Sequence, residues 1–396
     1  MKILCLRESV LRNTTRGILA LALAGLLLSI SWTIGAPPAS AETLEIHAVR
    51  TGLKIEYSVP NSPSNVAPQT PGITWFTSPA DDAVGVITLR SDPEASTLVY
   101  TIDYLRLETG SLPYDIVNAG DTVWFTMYGG NKIGRIDLTG GALPDDVLVK
   151  EYRIPTAGSQ PAGIAVAPDG GVWFVEQKAK KLGRFDPATE TFREYSFNSF
   201  LPAQNVMPTD RVLADIAVQA GGKVKIWLTM PAHHTVLQFD VEGEQFGRAV
   251  TYNEETGVGK WPVGIAIDAK GNIWITAFGS GMIGRLATGT LTNWAWYSTP
   301  SADSGPKDLA IQPDGDNAHL WVTQQNADKL ARFTVAPNGK LLAKIEVGQP
   351  SGSALSGIAI GPDDHIWFAE YGRGIVSELP PPYFYAVHLP SVHVME

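Results

Sequence analysis

Short apolar runs centred on tryptophan recur along the chain: ITWFTSP, TVWFTMY, GVWFVEQ, KIWLTMP, NIWITAF, HLWVTQQ and HIWFAEY. Their anchors are Trp75, Trp124, Trp173, Trp227, Trp274, Trp321 and Trp367, spaced by 49, 49, 54, 47, 47 and 46 residues. Upstream of each, at 8 to 12 residues, stands a second apolar landmark: Val66, Ile116, Ile164, Ile216, Ile265, Leu309 and Ile358. That distance fits one strand, a turn such as APDG or DAKG, and the next strand. Downstream come KIGRID, KLGRFD, MIGRLA and KLARFT, then strings such as KEYRIP and REYSF. Each unit therefore predicts four short strands.

A period near 47 residues with four strands per unit is the mark of a propeller blade. Seven units predict an all-β chain, a seven-bladed β-propeller with four antiparallel strands per blade. The last unit supplies three strands, through GIVSELP, before running into PPPYFY. KIEYSVP, residues Lys54 to Pro60, matches the outer-strand string KEYRIP. An N-terminal strand is thus expected to complete the last blade, so that no long edge stays open. Each tryptophan is expected to fill the wedge between adjacent blades, and the recurring Gly-Arg of the third strand to be structural as well.

Composition agrees with short strands: 39 glycines and 28 prolines supply more turn formers than long helices tolerate. The first 41 residues read as a targeting segment. Arg7, Arg12 and Arg16 precede an apolar run from Gly17 to Ile34, and an Ala-x-Ala signal ends at Ala41. Export with cleavage before Glu42 is expected, to a secreted, periplasmic or cell-surface location; the length of the run also admits an uncleaved anchor. This divides the chain into a signal peptide at 1–41, the propeller at 42–380 and a Pro-rich tail at 381–396. Cleavage removes four basic residues and one acidic one, leaving 26 Lys and Arg against 39 Asp and Glu, a formal charge of −13. A surface so acidic argues against a nucleic-acid partner. Cleavage also removes the sole cysteine, Cys5, so the mature chain has neither disulfide nor thiol chemistry. A monomer without membrane association is expected.

Positions that break the repeat carry the functional information. The dipeptides before the landmarks form one ring at the mouth of the channel, and asparagine or aspartate replaces glycine there at Asn65, Asp115, Asp215 and Asp308. A second ring, three residues after each tryptophan, holds only two carboxylates, Glu176 and Glu370. Carboxylates crowded at one narrow mouth repel each other unless a cation or Lys307 compensates them. Oxygen-only ligands favour Mg2+ or Ca2+, so a weak hard-cation site is expected among these six residues. The competing reading is that each Asp caps nearby backbone amides.

The string QPAGIAVAPDGGVWFVEQKAKKLGRFDPATETFREY resembles the streptogramin (virginiamycin B) lyase family of seven-bladed propellers. Looser similarity extends to NHL-repeat and gluconolactonase-type propellers. The resemblance covers residues 54 to about 380. It implies ring opening of a cyclic depsipeptide by elimination, with a histidine in a Pro-His-Gly-Ile string as base and a glutamate after a Trp-Phe pair helping hold Mg2+. Glu370 and Glu176 match that glutamate. The histidine position holds Ser64, Tyr114, Ala162, Ala214, Val263, Lys307 and Ser356 instead. Lys307 or Tyr114 would replace the base only with a strongly lowered pKa.

Aromatic residues gather near the same mouth: Tyr114 in the first ring, Tyr128, Phe278 and Tyr371 four residues after their tryptophans, and Trp261 before blade 5. Such a rim suits a bulky amphipathic or ring-bearing small molecule or peptide; packing against neighbouring blades is the alternative. His233 and His234 fall on this face, and the loop from Ser196 to Val212 is placed to cover part of it. Two classes remain: an exported propeller that binds a ligand or partner without the lyase activity, and a metal-dependent enzyme of the diverged lyase or lactone-hydrolase type.

Overall fold

The computed structural model describes residues 44–46, 49–51, 54–92, 97–138, 147, 149–200, 215–231, 234–251, 261–288 and 294–381. Residues 1–41, most of the Ser196–Val212 loop, His233 and the tail beyond residue 381 lie outside them.

Seven antiparallel sheets follow one another. The inner strands are Val66–Thr70, Pro113–Asn118, Pro161–Val166, Ile216–Gln219, Pro262–Ile267, Pro306–Asp314 and Leu355–Ile360, for blades 1 to 7. Second strands carrying the tryptophans come next, then the third strands, then the outer strands. Blade 7 takes its outer strand from the other end of the chain. Lys54–Ser58 pairs antiparallel with Ile375–Leu379, in the register Ile55 opposite Glu378 and Ser58 opposite Ile375. Two further strands extend the ends: Leu44–Ile46 on the outer edge of blade 1 and Val49–Thr51 on that of blade 7.

Each anchoring tryptophan is between 0% and 3% exposed and packs with residues of the following blade. Trp173 of blade 3 meets Ile226, Leu228 and Phe239 of blade 4, and Trp367 of blade 7 meets Val66, Phe76 and Ile87 of blade 1, which closes the ring. A large apolar side chain so buried contributes about 1.5–3 kcal/mol. The third-strand arginines Arg135, Arg184, Arg285 and Arg332 lie 5.5–5.7 Å from the centroid of their own blade's tryptophan, in cation–π contact. The preceding glycine has a steric cause. A Cβ on Gly134 would stand 2.1 Å from the ring of Phe125, and one on Gly183 would stand 2.2 Å from Phe174. The repeated Trp-Phe of the second strand and Gly-Arg of the third are thus one packing unit.

Candidate functional site

The inner ring is built from β-bulges. In blades 2, 3, 5, 6 and 7 the register skips between the first residue of the inner strand and its landmark, as between Pro113 and Ile116. The extra residue turns the dipeptide toward the axis. In five blades a threonine two beyond the tryptophan ties the dipeptide to the next blade. Thr276 Oγ1 accepts from the amide of Gly264 at 2.8 Å and donates to the carbonyl of Lys307 in the next blade at 3.0 Å. Thr77, Thr126, Thr229 and Thr323 do the same, donating across the blade boundary at 2.6–2.8 Å. Val175 and Ala369 occupy this position in blades 3 and 7.

Blades 2, 4 and 6 carry aspartate at the second position of the dipeptide, and blades 3, 5 and 7 carry glycine. Each aspartate clamps two blades. Asp115 accepts from the amide of Ile116 at 2.9 Å and of Ile164 in blade 3 at 2.8 Å. Asp215 accepts likewise from Ile216 and Ile265 at 2.7 and 2.9 Å, and Asp308 from Leu309 and Ile358 at 2.7 and 3.0 Å. The glycines make room. A Cβ on Gly264 would stand 2.9 Å from the Cα of Asp308. Blade 1 departs from both letters: Asn65 donates to Asp115 at 3.1 Å and to the Tyr114 carbonyl at 3.3 Å.

These residues, with Tyr114, Val263, Lys307 and Ser356, line a throat of about 170 Å³. Its groups touch the channel yet lie deep among the blades, so burial is the first cause of every shift here. It pushes Asp115 up to about 7 and Asp308 up to about 6, against the two amide bonds that each carboxylate accepts. Asp215 is also raised, by burial and then by repulsion from Asp308 and Asp115. Burial raises the Tyr114 phenol and lowers the Lys307 ammonium, although Asp308 and Asp215 work against the second effect.

Glu176 and Glu370 do not join this ring, which corrects the expectation that they face the mouth. Side chains on a second strand stand perpendicular to the sheet, and in a propeller that direction points between blades rather than into the channel. Both glutamates are fully buried. Glu370 sits in an ionic cluster: Lys54 at 2.7 Å, Ser377 and Arg373 at 2.6 Å, and Ser353 at 2.8 Å. Lys54 also meets Glu56 at 2.7 Å. In blade 6 the equivalent Gln324 donates to Glu346 at 2.9 Å, which Lys329 pairs with at the same distance. In blade 3, Lys181 contacts Glu194 at 3.1 Å, while Glu176 lies beside Glu194 and makes no ion pair among the described residues. Burial, then Glu194, pushes Glu176 up to about 8.

This donor set does not fit Mg2+ or Ca2+. A hard cation takes six or more oxygens around one point. Here both oxygens of each ring carboxylate hold amides, Glu176 and Glu370 stand in separate blades, and among the described residues no three His, Cys, Asp or Glu side chains converge. The ring aspartates act as amide caps, the alternative the sequence left open. The aromatic residues of the expected rim are spread over several blades. Tyr114 and Tyr128 lie 6.4 Å apart, and Tyr371 is 44% exposed. Trp261 instead lies over the loop of its own blade, since a Cβ on Gly279 would be 2.8 Å from its ring; Phe278, beside it, is half-buried. His234 is buried and accepts from the Trp261 amide at 3.4 Å, a packing role. Leu112, 41% exposed beside Tyr114, was not anticipated. Nor were the threonine relays, although Thr recurs two residues after Trp in five of the seven units.

The architecture and the clamped ring define a seven-bladed propeller of the lyase-like kind, with its inner bulges tied blade to blade by side chains. The chain belongs to the virginiamycin B lyase family, whose model matches residues 46–208 and 202–381. It is 29% identical over 258 residues to the virginiamycin B lyase of Nocardia farcinica, covering 65% of this chain and 77% of that one. Selenomethionine-substituted virginiamycin B lyase from Staphylococcus aureus superposes with a TM-score of 0.64 at 21% identity, over 83% of this chain and 98% of that one. A catalytically inactive variant of the Staphylococcus aureus enzyme with Quinupristin gives a TM-score of 0.62 at 21% identity, over 86% and 99%. At these identities the likeness to the solved structures is one of fold.

Proposed function

We propose that the mature chain is an exported propeller that binds an amphipathic, ring-bearing ligand at the channel mouth without the elimination chemistry of its lyase relatives. The observation that carries this reading is the composition of the inner ring. No imidazole stands at the first position of any dipeptide, and the carboxylates beside those positions are bound to backbone amides. A base must be free and within reach of the proton it removes. The throat, at about 170 Å³, is smaller than the roughly 300 Å³ or more of a site for a drug-sized ligand. Such a ligand therefore rests on the rim, where Leu112, Tyr114, Tyr128 and Tyr371 offer apolar surface.

The test uses residues 42–396 with a streptogramin B depsipeptide, as in the relatives' names, with and without Mg2+. Binding is read by calorimetry and ring opening by mass spectrometry. Binding with the depsipeptide left intact is expected. Linearised product at a rate above the buffer control overturns the non-catalytic part, and absence of heat at millimolar ligand overturns the choice of ligand. Export is tested separately, by N-terminal sequencing of protein recovered outside the cell, which should begin at Glu42.

A further inference from the structure

Several partly buried lysines of this molecule end on glutamates. Lys54, Lys132, Lys181 and Lys329 each pair with a glutamate at 2.6–3.1 Å. Lys307 differs. It lines the throat, its carbonyl is fixed by Thr276, and among the described residues its ammonium has neither a hydrogen-bond nor an ion-pair partner. Asp215 and Asp308, the nearest opposite charges, each accept two amide bonds and form no contact with it. Its environment is thus a small walled cavity that lowers its proton affinity through burial. Tyr114 faces the same cavity, with its phenol kept protonated by burial and available as a donor.

We propose that Lys307 is a covalent capture site for a small aldehyde or ketone, which enters the throat and forms an imine with the side-chain amine. The lone pair on Nζ attacks the carbonyl carbon, and the C=O π pair moves to oxygen, which takes up the proton leaving nitrogen. The carbinolamine then forms its C=N bond as the hydroxyl leaves as water, taking a proton from solvent, and the iminium proton returns to solvent. The balance is amine plus carbonyl compound to imine plus water, with no oxidant or reductant. Cavity size restricts the partner to compounds of a few carbon atoms. The inference is independent of what rests on the rim above.

The experiment treats the folded protein with propionaldehyde and cyanoborohydride at pH 7 and maps propylated lysines by mass spectrometry over time. Each unit by which an amine's pKa falls raises its free-base fraction about tenfold at this pH. Lys307 is therefore expected to label faster than Lys150 and Lys223, whose side chains are 57% and 66% exposed. Lys307→Met, checked for folding by its melting curve, should lose the fast phase and keep the slow one. Labelling of Lys307 no faster than that of Lys223 overturns the proposal and leaves the side chain as a counter-charge to the aspartates. The wild-type comparison decides even if the variant does not fold.

Discussion

At the scale of single residues, the same position solves one electrostatic problem differently in different blades. Glu370 has Lys54 and Arg373, and Gln324 donates to Glu346. Glu176 faces Glu194 with the one lysine already engaged. Burial, then Glu194, holds it at about 8, so the folded state favours its protonated form at pH 7. A raised folded value means that its stabilising contribution is complete below about pH 4.5 and is lost as pH rises toward 8. Glu176→Gln copies the arrangement of blade 6 and lets an amide donate to Glu194. Urea denaturation should show it more stable than wild type by about 1–3 kcal/mol at pH 8, with the gap narrowing at pH 5. An equal gap at both pH values would contradict the assignment. Thr276→Val removes the hydroxyl of a relay, leaving the Gly264 amide and the Lys307 carbonyl without it, and should cost about 1–3 kcal/mol in the same assay.

Among the elements, the N-terminal strand decides whether the ring closes. Lys54–Ser58 provides the outer edge of blade 7, the Lys54 ammonium in the Glu370 cluster, and Tyr57, which stacks on Trp367 at 5.5 Å and hydrogen-bonds Glu378. Removing residues 42–58 should abolish the monomer, with aggregates or exchanged dimers in size-exclusion chromatography; a soluble monomer with an unchanged melting temperature would refute this role. This closure was legible in the sequence because KIEYSVP repeats the outer-strand pattern of other blades. The strands themselves were legible because their apolar positions recur with fixed spacing. The pleat was not. Whether Glu176 points into the channel or between blades depends on the orientation of the second strand about its own axis, which spacing from Trp173 does not specify. The fate of Asp115, Asp215 and Asp308 was open for a related reason. Their partners, Ile164, Ile265 and Ile358, lie some 50 residues away.

Over the whole molecule, the inner ring alternates aspartate and glycine from blade 2 to blade 7, and each clamp reaches into a blade that carries no clamp of its own. Two alternating states cannot be continued around a ring with an odd number of members. The mismatch falls on blade 1, between Gly357 and Asp115. A Cβ on Gly357 would lie 1.9 Å from Asn65 Oδ1, while the Asn65 amide donates to Asp115 at 3.1 Å. Aspartate at position 65 would set two carboxylates side by side. Asn65→Asp should lower stability at pH 7.5 by about 1–2 kcal/mol and recover most of the loss at pH 5, where protonation removes the repulsion; an equal loss at both pH values would argue for a purely steric effect. Odd parity thus makes the blades inequivalent however alike their sequences become. A six- or eight-membered relative could close the same alternation without a defect, whereas seven requires one neutral donor, and its position marks the seam where the two ends of the chain meet.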